Sequence, residues 1–250
     1  MKKIIILLIL IMFNGAFGQG FDWQYSARMP FKTATVFMGI NIAPNYNISS
    51  GKINYIEDRF PCCNFNNGSG LGYIGGLTTE LWTTTGISYS ITVNFDYNYS
   101  KFTQAAEELP LADGSIFRTE YEFRSKAYYV DAEPMVKYKI PMSHFYIGAS
   151  ANLQFLISST KQHFENVVSD NTFNDGSKTR EIADGKGKIS DLKSFIFQPK
   201  IRAGYDFSIG LGKYASVYVN YGIPIMDIAQ KAEWKSTNIS AGFCVYTSIF

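Results

Sequence analysis

The chain contains few of the residues that build disulfide frameworks, metal sites or histidine-dependent catalytic centres. It has 3 cysteines and 2 histidines among 250 residues. Three cysteines cannot form a full disulfide framework, and neither His144 nor His163 stands at a metal-ligand spacing from a cysteine. We therefore expect no metal and no cofactor. Cys62 and Cys63 are interpreted as a local loop feature, and Cys244 as a packed strand residue.

The chain also lacks an excess of charge of either sign. It carries 23 basic and 21 acidic residues, and Lys2 and Lys3 lie in an N-terminal segment that we expect to be removed on export. Without these two lysines, basic and acidic residues are equal in number at 21. A balanced charge gives no reason to expect a nucleic-acid partner.

The N-terminus has the three parts of a secretory signal peptide. A basic start at residues 1–3 precedes an apolar run at 4–13, and small residues flank Phe17. This pattern predicts a signal peptide over 1–18 that is removed during export. The apolar run is too short for a membrane-spanning helix, which needs about 20 residues. We interpret 19–32 as a short N-terminal periplasmic segment and 33–250 as one domain.

No later segment has the length and apolarity of a spanning helix, but several segments alternate strictly between apolar and polar residues. The pattern extends over 86–99 and recurs at 144–158 and 195–209. Because successive side chains of a strand point to opposite faces, each segment predicts a strand with one apolar and one polar side. Such an apolar face needs either a second protein layer or lipid.

The order of strands and connections favours lipid. We predict eight strands, and their connections are 26, 3, 20, 3, 36, 4 and 11 residues long. Long and short connections alternate, as in barrels inserted from the periplasm, whereas a β-sandwich has no reason to sort its connections in this way. The sequence therefore predicts an all-β, eight-stranded antiparallel up-and-down transmembrane β-barrel. The long loops 44–69, 103–122 and 159–194 should face the exterior. The predicted strands are 33–43, 70–82, 86–102, 123–140, 144–158, 195–209, 214–225 and 237–250.

Charged residues within the predicted strands lie on the polar parity. Eight strands enclose an interior that side chains can fill, so these charges predict a salt-bridged plug rather than an open pore. Because an unpaired buried charge is costly, we expect Asp131 and Glu133 to face Lys200 and Arg202. The predicted lumen charge network consists of Glu80, Asp96, Asp131, Glu133, Lys137, Lys139, Lys200, Arg202 and Asp206.

Three strand residues do not fit the pattern. Pro134 and Pro199 lie inside predicted strands, where each removes a ladder hydrogen bond and predicts a bulge or a locally weak edge. Phe250 lies on the wrong parity of the last strand, which predicts a bulge or a terminus that leaves the sheet.

Five segments carry a resemblance to a known family. They resemble the outer-membrane β-barrel domain of Bacteroidetes-type bacteria, which is similar in architecture to the small OmpA/OmpX barrels. The resemblance implies a porin-like protein in the outer membrane of a Gram-negative cell, in contact with lipid and inserted by machinery that reads an aromatic C-terminus. The motifs are architectural, and none is catalytic. The segments are YYVDAEPMVKYKI (128–140), FYIGASANLQFLIS (145–158), FQPKIRAGYDFSIG (197–210), NYGIPIMDI (220–228) and GFCVYTSIF (242–250).

One set of residues could be taken for a hydrolytic centre. His163 lies near Glu165 and near Ser158 or Ser159 in sequence, but no orienting group is evident. We therefore expect a loop histidine and no enzyme.

Three functions remain open on the sequence. The first is a non-enzymatic barrel with a structural or surface-interaction role through its long loops. The second is an accessory subunit of an envelope secretion or motility machine, with other envelope proteins as partners. The third is a small passive solute channel.

Overall fold

The computed structural model describes residues 36–53, 65–83, 86–106, 108–110, 116–141, 143–182 and 185–249. The predicted signal peptide, the segment 19–32, Cys62, Cys63 and Phe250 lie outside these residues. Eight long strands form a wall, and three short strands lie in its connections. The wall strands are β1 (Val36–Ile53), β2 (Phe65–Trp82), β3 (Ile87–Ala105), β6 (Thr119–Lys139), β7 (Phe145–Val167), β9 (Phe195–Gly210), β10 (Lys213–Gly222) and β11 (Glu233–Ser248). The short strands are β4 (Leu109–Pro110), β5 (Ile116–Phe117) and β8 (Thr179–Glu181).

The wall closes into a ring. Each wall strand pairs antiparallel with the next wall strand along the chain, and β1 also pairs with β11, from Phe37 opposite Ser248 to Lys52 opposite Glu233. The predicted eight-stranded antiparallel up-and-down barrel is confirmed. A closed ring leaves no open sheet edge in the wall.

Helices that could cross a membrane do not occur among the described residues.

The two ends of the barrel differ in their connections. At one end, the turn end, the connections are short, and positive φ angles at Gly86 (75°) and Gly212 (65°) allow tight reversals. The first and last wall strands also begin and finish at this end. The longer connections lie at the opposite end, the loop end. This arrangement agrees with the predicted alternation of short and long connections.

Several strands are longer at the loop end than the sequence predicted. β1 continues to Ile53 instead of ending at 43, and β7 continues to Val167 instead of ending at 158. The predicted loops 44–69, 103–122 and 159–194 are correspondingly shorter. The strands continue after their outward faces cease to be uniformly apolar, so apolar alternation ends before strand pairing does. β10 shows the opposite error, because it ends at Gly222 and not at 225.

The prolines do not mark bulges. No register shift occurs at Pro134 or Pro199, and the shift in the β6–β7 pairing lies between Tyr128 and Tyr129. In that ladder the pairing passes from Ala132 to Met135 without a partner for Pro134. The expectation of a bulge was therefore wrong. At Pro134 the alternative expectation applies, because the β6–β7 ladder is locally weakened there.

A belt of exposed apolar side chains surrounds the barrel. The outward parity carries side chains such as Ile40 and Leu77, which are 68% and 60% exposed. Tyrosine rings extend the belt towards the loop end: Tyr97 lies 5.1 Å from Tyr73 and 5.0 Å from Tyr128 between ring centroids. Soluble monomers rarely expose contiguous apolar surface on this scale, whereas lipid accommodates it. The molecule is a transmembrane β-barrel.

Candidate functional site in the barrel interior

The nine charges of the predicted network all lie on inward-facing positions. Eight of them are buried and Lys139 is half-buried. They form two groups, one at the middle of the barrel and one near the turn end. A function for these two groups remains a prediction. Their positions and contacts are as follows.

Glu133 is the centre of the middle group. Its Oε2 accepts a hydrogen bond from Lys200 Nζ at 3.1 Å, and its Oε1 accepts one from Arg202 Nη2 at 3.0 Å. Arg202 Nε also donates to Asn220 Oδ1 at 2.7 Å, and Ser150 Oγ donates to Glu133 at 3.0 Å. The carboxylate therefore compensates two buried cations that come from a different strand.

The two aspartates of the middle group accept their hydrogen bonds from amides. Asp96 Oδ1 accepts a hydrogen bond from Asn45 Nδ2 at 2.9 Å, and its Oδ2 accepts one from Gln154 Nε2 at 3.1 Å. Asp131 Oδ2 accepts one from Asn152 Nδ2 at 3.3 Å. These hydrogen bonds join β1, β3, β6 and β7 across the lumen. Polar side chains thus fill the middle of the barrel from wall to wall.

Lys137 is the centre of the group near the turn end. Its Nζ lies 2.8 Å from Asp206 Oδ2 and 3.3 Å from Glu80 Oε2. Lys139 Nζ lies 3.4 Å from the same Asp206 oxygen. Glu80 accepts a further hydrogen bond from the Tyr214 hydroxyl at 2.9 Å. Two lysines and two carboxylates therefore balance in charge within this group.

Aromatic rings surround the lysines at the turn end, and these contacts were not predicted from the sequence. Lys137 Nζ lies 4.0 Å from the ring centroid of Tyr146, and the rings of Tyr214 and Tyr246 stack at 4.3 Å. A Cβ atom at Gly204 would lie 2.4 Å from Tyr146 Cζ, so the absent side chain makes room for the tyrosine ring. The parity of these tyrosines matches that of the charges, which indicates an inward position, but parity does not reveal cross-barrel contacts.

The outer mouth of the barrel holds an apolar cluster that the sequence also did not predict. Phe102, Phe123 and Trp234 project inward from three wall strands, and Trp234 lies 5.4 Å from Phe102 between ring centroids. Two connections fold over this mouth and pair with each other at Leu192 and Ala229. The buried members of this outer cluster are Ile53, Phe65, Phe102, Phe123, Ala127, Tyr129, Ile189, Leu192, Ile196, Ala229 and Trp234.

The supposed hydrolytic residues are not assembled into a catalytic site. His163 is not the loop histidine that was expected: it lies in β7, beyond the apolar belt, and packs against the ring of Phe65 at 5.9 Å. Burial lowers the pKa of His163, and nearby Lys161 lowers it further. Glu165 binds Arg180 at 2.6 Å, and Ser159 Oγ donates to the Ile189 carbonyl at 3.1 Å. The serine and the carboxylate therefore have partners other than the histidine.

The rim is tallest where β3, β6 and β7 adjoin. These strands have 19, 21 and 23 residues, whereas a strand needs about 9 to 11 residues to cross a bilayer. On the outer face of this raised rim, Glu122 forms ion pairs with Lys101 at 2.7 Å and with Arg124. The raised rim is an ordered surface that extends well beyond the belt.

Comparison with known proteins gives structural likeness only. No family model and no curated protein matches the chain in sequence. Among solved structures, the chain is similar to Neisserial surface protein A, with a TM-score of 0.34, 10% identity, and coverage of 83% of this chain and 96% of that one. It is also similar to outer membrane protein AlkL in DMPC bilayers, with a TM-score of 0.42, 13% identity, and coverage of 89% and 94%.

A further similarity is to outer membrane protein OprG from Pseudomonas aeruginosa. The TM-score is 0.32 at 11% identity, and the match covers 85% of this chain and 96% of that one. At such low TM-scores, these likenesses add nothing to the fold, which the pairing of β1 with β11 establishes within this chain.

Proposed function

We propose that the protein is an integral outer-membrane barrel of a Gram-negative bacterium, with a non-enzymatic, structural or surface-interaction role. The observation that carries this proposal is the combination of a closed ring, an apolar outer belt and a lumen filled by paired charges. The turn end then faces the periplasm and the loop end faces the exterior. Outer-membrane lipid and the barrel-insertion machinery are the partners that this position requires.

The raised rim supports a surface-interaction role. Three strands carry ordered backbone far beyond the length that a bilayer needs. Glu122 is buried between Lys101 and Arg124 on its outer face, so the surface is shaped by packed side chains. Rigid scaffolds of this kind hold binding segments at a membrane surface. Binding specificity is proposed to lie in the rim and in the connections at the loop end.

Heat-modifiable migration on a gel tests the barrel. Unheated protein from the outer-membrane fraction should migrate differently from boiled protein, because a closed barrel resists detergent until heated. A pull-down from intact envelope, run in parallel, distinguishes a free-standing barrel from a subunit of a secretion or motility machine. Identical migration before and after boiling would contradict the proposed barrel in the membrane. Recovery within a large envelope complex would favour the second function.

A passive channel is the third candidate, and the lumen argues against it. The contacts of Glu133 with Lys200 and Arg202 block the middle of the barrel. We expect the purified protein to produce no conductance steps in a planar bilayer beyond those of a protein-free bilayer. An open porin from the same preparation serves as the positive control. Reproducible conductance steps from this protein would contradict the closed lumen and would support a channel.

A further inference from the structure

Tyrosines bound the apolar belt on two neighbouring strands. The outward side chains of β3 are apolar or aromatic from Tyr89 to Tyr99, and those of β6 from Tyr128 to Tyr138. Each stretch has the length, about 9 to 11 residues, that a strand needs to cross a bilayer. Aromatic residues flank the apolar band of membrane barrels at both interfaces. Tyr99 and Tyr128 therefore mark the interface on the loop side.

Three basic side chains lie on the same outward face immediately beyond these tyrosines. Lys126 is the next outward residue after Tyr128 on β6, and it lies opposite Tyr99 of β3. Arg124 is the outward residue after Lys126, and it lies opposite Lys101. Two residues of a strand cover about 7 Å, so these side chains begin at the level of lipid headgroups. We call Lys101, Arg124 and Lys126 the basic patch.

The turn-end side of the same two strands has no counterpart of the basic patch. Beyond Tyr89 the next outward residue of β3 is Ile87, and beyond Tyr138 the next outward residue is Ile140. Both are apolar. On these strands, basic side chains therefore border the belt at the loop end and not at the turn end.

The positive charge of the basic patch is only partly compensated. Glu122 contacts two of its members, Lys101 at 2.7 Å and Arg124. Among the described residues, Lys126 forms no ion pair, and Glu120, one outward position further from the belt, forms none with the patch. Three basic side chains thus contact one carboxylate, which leaves an excess of two positive charges.

The strand register places like charges against each other in the basic patch. Lys101 and Arg124 are direct partners across the β3–β6 ladder. Side chains at such positions start about 4.5–5.5 Å apart, and like charges there are destabilising. The β1–β11 ladder instead places Lys52 opposite Glu233 at its loop end. An anion bound between Lys101 and Arg124 would offset their repulsion.

The donors of the basic patch are positioned but not used up. Arg124 Nε donates to Glu122 Oε1, and the guanidinium carbon of Arg124 lies 4.7 Å from the ring centroid of Phe164. The two terminal nitrogens of Arg124 donate no hydrogen bond within the described part of the chain. The Lys101 side chain is 43% exposed. A guanidinium held in this way can donate two parallel hydrogen bonds to a phosphate.

We propose that the basic patch binds the phosphate headgroup of a lipid in the outer leaflet of the outer membrane. The terminal nitrogens of Arg124 and the Nζ atoms of Lys101 and Lys126 donate to the phosphate oxygens. The acyl chains lie against the belt below Tyr128. Because the patch directly adjoins the belt, a ligand that joins a phosphate to hydrocarbon chains fits better than a soluble anion. The inference rests on the proposed outer-membrane position and names the lipid chemistry recognised there.

Binding of lipid A to the whole mature protein in a non-ionic detergent tests the site, with native mass spectrometry as the measurement. The two probes are lipid A with its phosphate groups and lipid A from which the phosphates have been removed. The phosphorylated form should bind at least about tenfold more tightly, because the other form lacks the charge-assisted hydrogen bonds. Its affinity should also fall as NaCl is added, since salt screens exposed charges.

Lys126→Gln should weaken binding of phosphorylated lipid A about tenfold and leave binding of the phosphate-free form unchanged. Lys235→Gln is the matched control and should change neither affinity. Lys235 is also an exposed, outward lysine at the loop end, but β1 and β2 separate its strand, β11, from β3.

Heat-modifiable migration of every variant distinguishes failure of the site from failure of the barrel. If the proteins migrate as barrels but the unmodified protein binds both forms of lipid A equally, the site is refuted and the barrel stands. Equal losses of affinity in Lys126→Gln and Lys235→Gln would likewise refute the site. If the unmodified protein does not show heat-modifiable migration, the membrane barrel is refuted and the site with it.

Discussion

Replacing Glu133 with alanine should lower the free energy of unfolding by about 3–5 kcal/mol, the cost of removing one partner of a buried ion pair. The variant keeps Lys200 and Arg202 buried at 2% and 4% exposure but deprives both of their only carboxylate within ion-pair distance among the described residues. Asn220 would still accept a hydrogen bond from Arg202, and the charges of Asp131 and Asp96 would still act on Lys200. Urea unfolding in lipid vesicles, followed by gel migration of the folded band, measures the change.

An exposed ion pair provides the matched control for this prediction. Arg118 and Glu108 lie 2.9 Å apart, and both side chains are 57% exposed. Because water and salt screen such a pair, Arg118→Ala should change stability by less than about 1 kcal/mol. A triple variant in which Glu133, Lys200 and Arg202 all become apolar should recover much of the loss. Equal effects of Glu133→Ala and Arg118→Ala would mean that water reaches the lumen charges.

Much of the wall could be predicted from the sequence because its cause is local. Alternation assigns each residue to one face of a strand, and a charge on the lipid face is costly, so Glu133, Lys200 and Arg202 share the inward parity. Placing the nine charges inside therefore needed no tertiary information. Predicting which of these side chains contact each other would have needed tertiary information. Asp131 was expected beside the cations, and it lies near enough to Lys200 to interact with its charge, but the donor of its hydrogen bond is Asn152.

The features that sequence reasoning missed depend on register and on strand ends. Whether Lys137 meets Tyr146 depends on the stagger between β6 and β7, which pairs Lys139 with Tyr146, and no single segment encodes that stagger. The end of β10 was missed for a related reason. Ile223 and Ile225 continue the apolar parity, but β10 ends at Gly222, and parity alone does not mark that end.

The inner polar groups and the outer apolar cluster divide the lumen by chemistry. Near the turn end and in the middle, cations face carboxylates, whereas at the loop end Phe102 packs on Trp234. The charged groups are satisfied by cross-barrel partners, so they fix strands against each other. The apolar cluster instead seals the mouth by excluding water.

An arginine in place of Val93 should destabilise the barrel in a bilayer by about 2–4 kcal/mol, the cost of a basic side chain on the lipid face near the midplane. Val93 is 53% exposed and lies between Leu77 and Ala132 on the neighbouring strands. Its surroundings are therefore apolar on both sides. Val93→Ala separates the loss of the valine side chain from the effect of the charge.

Val168→Arg tests whether the belt lies in the membrane. Val168 is 64% exposed, more than Val93, but it follows the end of β7 on the loop side of the belt. If the belt contacts lipid, Val168→Arg should leave the urea midpoint of the folded band in vesicles almost unchanged, while Val93→Arg shifts it strongly. In water the two positions would be equivalent exposed valines and would respond alike. Equal responses in vesicles would therefore refute a lipid-facing belt, whereas a difference that depends on depth would locate the hydrocarbon boundary between the two residues.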